Sequence, residues 1–117
     1  MQDNIILVDW FAFTVHNNMT VDQIKECLGL SSGCSWIEMC GHYGYKQAHY
    51  YGGIWVMWDG HGDDMGVCVE MSGQGCRQFE TSSCKSFAQL FEEVTADEEQ
   101  FHITRLDVAY DDIDKEE

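Results

Sequence analysis

The first apolar stretch, Ile5 to Val15, is hydrophobic at both alternating sets of positions. Ile5, Leu7, Phe11, Phe13 and Val15 form one set, and Ile6, Val8, Trp10 and Ala12 the other. Hydrophobicity on both faces predicts a central, doubly covered strand. Asp9 interrupts it. Because a lone buried charge is costly, this carboxylate is expected to be paired or partly solvated.

The period then changes. Thr20-Val21-Asp22-Gln23 reads as a capping box opening a short helix, with Val21, Ile24 and Leu28 on one face and Gly29 as a left-handed end. Leu30 to Ser35 reads as loop. From Trp36 to Met71 the pattern predicts a meander of about three strands, Tyr43 to Tyr51, Ile54 to Trp58 and Gly66 to Met71, with Gly52-Gly53 as a hairpin turn. Gly73-Gln74-Gly75 reads as a tight turn, since it lacks the lysine and spacing of a phosphate-binding loop. A second helix is expected where Cys84, Phe87, Ala88 and Phe91 share a face, capped by Ser82 or Ser83. Thr95 to Gln100 reads as an acidic connector and Phe101 to Tyr110 as a last strand.

In order these elements give β-α-β-β-β-α-β, an α+β fold related to the ferredoxin-like arrangement. Its largely antiparallel sheet of four to five strands carries two helices on one face. The other face is left for a partner, a ligand or a second copy, so a homodimer is one option. One domain is expected over residues 1–112, followed by an acidic tail at 113–117.

Composition sharpens this picture. The 117 residues are 44% hydrophobic and 13% aromatic, which suits a packed core, yet they carry 21 acids against six Lys and Arg, a formal charge of -15. Residues 91–117 hold 11 acids and two bases, a net of -9. Such a surface repels phosphate backbones and anionic membranes. The N-terminus lacks the pattern of a signal peptide and no apolar run is long enough to span a membrane, so a cytoplasmic protein is expected. The six cysteines, with no Cys-x-x-Cys among them, are then expected to be reduced structural thiols.

Candidate chemistry gathers at the last strand. Alternation places Arg105 and Asp107 on one face, with Asp111 and Asp112 just beyond. The first and last strands of such folds are usually neighbours, so a structural network of Asp9, Arg105 and Asp107 is one reading and a metal or catalytic edge the other. His61, Asp63 and Asp64 lie in a glycine-rich loop read as solvated. Tyr43, Tyr45, Tyr50, Tyr51, Trp55 and Trp58 crowd the hairpin. Exposed aromatics suit either bases or a protein interface, and with Lys46 the one base in residues 41–60 the second is favoured.

Three blocks taken together, Val8-Asp9-Trp10-Phe11-Ala12-Phe13-Thr14, Val69-Glu70-Met71-Ser72-Gly73-Gln74-Gly75-Cys76-Arg77 and Ile103-Thr104-Arg105-Leu106-Asp107-Val108-Ala109-Tyr110-Asp111-Asp112, resemble the N-terminal part of the replication initiation factor family. These are plasmid, phage and integrative-element proteins that nick DNA. The resemblance implies a tyrosine nucleophile, a divalent cation and carboxylates holding it, with Asp107 and Asp111 as the carried-over cation ligands. The family's sequences continue past the third block into the segment that supplies the nucleophile. No His-x-His pair occurs among the five histidines.

Charge and resemblance point in different directions. The reading that gives charge more weight is a non-enzymatic mobile-element protein that imitates nucleic acid and inhibits a basic nuclease, such as a CRISPR effector or a restriction enzyme. On that reading direct nucleic-acid binding is not expected and no cofactor is needed. Glu92, Glu93, Asp97, Glu98, Glu99, Asp111, Asp112, Asp114, Asp63, Asp64, Tyr50 and Tyr51 would then face the basic partner. The alternative is the N-terminal fragment of a rolling-circle initiator that binds and nicks DNA with Mg or Mn at Asp107 and Asp111.

Overall fold

A computed structural model describes residues 4–16, 19–30, 34–60 and 66–112. The described elements are β1 (Asn4–Val15), α1 (Val21–Cys27), β2 (Ile37–Cys40), β3 (Tyr45–Tyr51), β4 (Ile54–Gly60), β5 (Val67–Met71), α2 (Gly73–Ser82), α3 (Phe87–Ala96) and β6 (Phe101–Asp112). The strands form one antiparallel sheet in the order β2-β3-β4-β5-β1-β6. The α+β class, the antiparallel sheet and the layer of helices on one face are as the pattern predicts.

The core lies between that helical layer and the sheet. Phe11, Phe13, Val15, Ile54, Val56, Val69 and Met71 meet Ile24, Leu28, Cys76, Phe79, Leu90 and Val94 there, all buried. Aromatic rings lock the centre: Phe11 packs against Phe91 at 5.0 Å between centroids, and Phe79 against Phe87 at 4.5 Å. In α1 the capping box is present, with the Gln23 amide donating to Thr20 Oγ1 at 3.1 Å and the Thr20 amide to Gln23 Oε1 at 2.9 Å. Gly29 follows at φ +74°, the left-handed end expected of it.

Three details differ from the sequence reading. The sheet has six described strands, because Ile37–Cys40 pairs with β3; four exposed residues carry too little alternation to announce a strand. Gly73-Gln74-Gly75 is the first turn of α2, capped by Ser72 Oγ accepting from the Gly75 amide, and not a simple turn. Two glycines in four residues disguise a helix whose buried face is Gly75, Cys76 and Phe79. The next helix then starts later, at Phe87 with Ser86 as its cap, while Ser83 closes α2 and Cys84 is exposed before α3.

Strand β1 carries a bulge. Val8 pairs with Val108 and Trp10 with Asp107, so Asp9 is an extra residue opposite none. Side-chain parity flips there, and buried Val8 joins the core with Phe11, Phe13 and Val15. Strict alternation assigned Val8 to the opposite set.

Candidate nucleic-acid interface

The bulge explains how a carboxylate sits in an apolar strand. Asp9 is exposed, and its charge acts on the Cys76 thiol of α2 and so falls on the helical side. Arg77 of α2 fixes the kink by donating from Nη2 to the Val8 carbonyl at 2.7 Å. The expected meeting of Asp9 with Arg105 does not occur, because the bulge turns Asp9 aside and the register puts Arg105 opposite Ala12. Arg105 pairs instead with Asp107, Nη2 to Oδ2 at 2.7 Å and Nε at 3.1 Å, and lies 4.2 Å over the Trp10 ring. The Asp107 hydrogen bond is the chief cause holding the exposed guanidinium above its ordinary value.

Glu70 is the centre of the open face and the one buried charged residue among those described. Its Oε1 lies 3.0 Å from His42 Nε2, and Oε2 accepts from the Tyr43 hydroxyl at 3.0 Å. That hydrogen bond is the first cause raising the Tyr43 phenol above its usual range. Tyr43 holds a left-handed φ of +58° in the loop joining β2 and β3, a conformation that costs energy in a non-glycine residue. Glu70 thus clasps a strained loop over the sheet. Beside it a cavity of about 350 Å³ is lined by Ala12, Thr14, Tyr43, Cys68, Glu70 and Arg105, among others. Nothing in the periodicity marked His42 or Glu70 as a pair.

The strand register sets one line of side chains across the whole open face: Ile37, Tyr50, Trp55, Glu70, Ala12 and Arg105, each opposite the next. Along this row the carboxylates are Glu70 and, beside Arg105, Asp107, and both are engaged. Tyr50 is on this row, whereas Tyr51 faces the helical side, where its hydroxyl meets Ser82 at 3.0 Å.

Of the other acids, Asp9 is at the bulge, Glu38 is on β2 opposite His49, Asp59 on β4 accepts from Gln47, and the rest that are described belong to the helical layer. Asp22 and Glu26 are on α1, Glu80 on α2, Glu92 and Glu93 on α3, and Asp97, Glu98 and Glu99 in the turn after it. Glu93 is tied to Lys85 at 2.7 Å, and Asp97 Oδ1 accepts from the Gln100 amide. Packed layers sit roughly 10 Å apart, further than the screening length of about 8 Å in physiological salt. The helical acids therefore contribute little to the potential on the open face. Asp63, Asp64 and Asp114 lie outside the described residues, as do the side chains of Asp111 and Asp112, whose backbones pair with Ile5 and Asn4.

Of the two ligands that the family resemblance implies for a divalent cation, Asp107 is described, while the side chain of Asp111 lies outside the described residues. Among them no three His, Cys, Asp or Glu come together as a metal site. Asp107, one of the two expected ligands, is occupied by Arg105.

Residues 5–95 match the family described as the rolling circle replication initiation protein N-terminal domain. The chain belongs to that family. Within it, the chain is 36% identical over 114 residues to the Bacillus subtilis (strain 168) protein named "Putative DNA relaxase NicK", a match that takes in 92% of this chain and 31% of that one. It is also similar to the solved rolling circle replication initiator protein of Geobacillus stearothermophilus, with a TM-score of 0.82 and 35% identity over 97% of this chain and 46% of the other. This chain thus spans less than half the length of either protein.

Membership of the initiator family overturns the nuclease-inhibitor reading, the basic-protein partner that went with it and the expectation that nucleic acid is not bound. The physical error lay in reading the acids' concentration along the chain, a net of -9 over residues 91–117, as if it fixed the charge of every face. In this initiator domain the acids of α1 to α3 are segregated to one layer, away from the face that carries Arg105. No helix among the described residues is long and apolar enough to cross a membrane.

Proposed function

We propose that this chain is the DNA-holding N-terminal domain of a rolling-circle initiator of the relaxase type, and that DNA is bound on the open face of its sheet. The observation that carries the reading is the pairing of an exposed arginine, Arg105 on Trp10, with the cavity around Glu70 on a face shielded from the helical acids. A guanidinium already ordered by a ring and a carboxylate is suited to a phosphate, because little side-chain freedom is lost when the anion arrives. His42 and Tyr43 are held by contacts to Glu70, and Tyr43 and Glu70 line the same cavity as Arg105.

Nicking is the activity of the whole initiator on this reading, with this domain supplying binding and orientation. Mg or Mn would act with donors beyond those described, and no step is assigned to it. Residues 1–112 are taken as one domain working on DNA in the cytoplasm.

The test is anisotropy of a labelled oligonucleotide titrated with the 117-residue chain at low salt. Binding should appear, and Arg105→Gln should weaken it and reduce the salt slope by about 1. Absence of binding to single-stranded and duplex probes alike would remove the reading.

A further inference from the structure

The open face is divided in chemistry along its cross-strand row. One end is Arg105 with Asp107, and the other is Ile37, Tyr50 and Trp55, without a charge. Five strand-to-strand steps of about 4.8 Å make the row about 24 Å long. At the apolar end the rings form a set: Tyr50 and Trp55 have centroids 4.8 Å apart, Trp55 and His42 4.8 Å, and His42 and Tyr43 4.4 Å. Tyr43 is 65% exposed, Ile37 55% and the neighbouring Met39 43%.

The next row behaves differently. Ala48, Met57 and Cys68 are buried together under Tyr45, so that row is closed and forms a small second core. Solvent therefore meets aromatic side chains along the first row and on the loop beside it. The half-buried rings of Tyr50, Trp55 and His42 and the exposed ring of Tyr43 touch one another in sequence and offer partly open planar surfaces at short intervals, with a cation beyond the last of them.

A ligand matched to this surface carries flat apolar groups at regular spacing and a negative charge between them. An unpaired nucleic-acid strand has that composition. A duplex does not, since its bases are stacked on each other and show only their edges in the grooves. A second copy of the chain is a poorer match, because a stable dimer buries about 800 Å² per partner and the exposed large apolar side chains at this end are Ile37, Met39 and Tyr43.

We infer that Tyr50 and Trp55, flanked by Tyr43, are a base-stacking subsite for an unpaired DNA strand whose phosphates run along the row toward Arg105. The inference rests on the proposed DNA-holding role and adds which strand state is held and by which residues. Stacking is tolerant of base identity, so this subsite would grip the strand without reading it.

The experiment compares oligothymidylate with an abasic oligonucleotide of equal length, against the wild-type chain, Tyr50→Leu, Trp55→Leu and Arg105→Gln. Tyr50→Leu should bind oligothymidylate about 5- to 150-fold more weakly while its salt slope stays that of wild type. The abasic strand should bind wild type and Tyr50→Leu equally. Because Trp55 packs on the second core, Trp55→Leu is read only with an unchanged urea midpoint, and Tyr50→Leu carries the test alone if it shifts.

If Tyr50→Leu binds oligothymidylate like wild type while Arg105→Gln binds less, the stacking subsite is wrong and the DNA-holding role stands. If wild type binds neither strand, both fall. A concentration-dependent dimer that Tyr50→Leu dissolves, with no change in DNA affinity, also overturns the subsite.

Discussion

Arg77 Nη2 donates to the Val8 carbonyl across 2.7 Å, tying α2 to the strand next to its bulge. The same guanidinium holds Glu80 at 2.9 Å and so is braced from both sides. Arg77→Leu leaves a partly buried carbonyl without its charged donor, and should lower stability by about 1–2 kcal/mol in urea unfolding. Oligonucleotide affinity should fall with it if the bulge sets the position of Trp10 beneath Arg105. Arg77→Lys should recover part of both.

Phe79 is fully buried on the helix that the sequence pattern did not reveal, against Phe87 of α3. Phe79→Ala should cost about 3–5 kcal/mol in chemical denaturation, the range for removing a buried ring. A cost under about 1 kcal/mol would mean that α2 is not packed as described.

Gly53 adopts φ +100°, and a Cβ there would run into the backbone of Gly75 at the start of α2. Gly53→Ala combines a disfavoured backbone with that overlap and should destabilise by about 1–3 kcal/mol or more. Gly75→Ala meets the Gly53 carbonyl from the other side and should also destabilise, although alanine is ordinarily the better helix residue. Thermal melts of the two variants check both.

His49 Nδ1 lies 2.8 Å from Lys25 Nζ, and burial first, then the Lys25 charge, holds the imidazole below its ordinary 6.5. As pH falls the unfolded chain takes up this proton before the folded one does. The stabilisation from the neutral ring is therefore complete above 6.5 and is lost as pH drops through the depressed folded value. Between about pH 7.5 and 5.5 the urea midpoint of the wild type should fall more steeply than that of His49→Gln.

All six cysteines are free, and they differ sharply in reactivity. Burial pushes the Cys68 thiol up to about 12, with the Glu70 charge adding to it, and the Cys76 thiol to about 11. A thiol reagent at neutral pH should modify exposed Cys40 and Cys84 first and reach Cys68 and Cys76 only after denaturant is added. Peptide mass mapping of partly labelled protein distinguishes them.

Much of the frame was legible because its signals are local and periodic. The capping box at Thr20 and Gln23, the hairpin glycines and the apolar run of β1 each needed only neighbouring residues to be read. What stayed hidden depends on contacts between distant segments. Gly75 is glycine because Gly53 comes within touching distance 22 positions away in sequence, so α2 looked like a turn. Asp9 reads as a buried charge only if β1 alternates without a bulge, and the bulge is visible only in its pairing with β6. His42 and Glu70 are 28 residues apart, and neither belongs to a spacing that chemistry would flag.

Net charge misled for a related reason, since a sum has no direction. With the helical acids on one side and, on the other, Arg105 set against Asp107 and the buried Glu70, the domain has an electrical polarity as well as a charge. On the proposed DNA-holding role, a polyanion that drifts toward the helices would be pushed away, and the same push would turn the molecule until its open face is presented. The acids would then act as a rudder, costing some encounters and orienting those that remain.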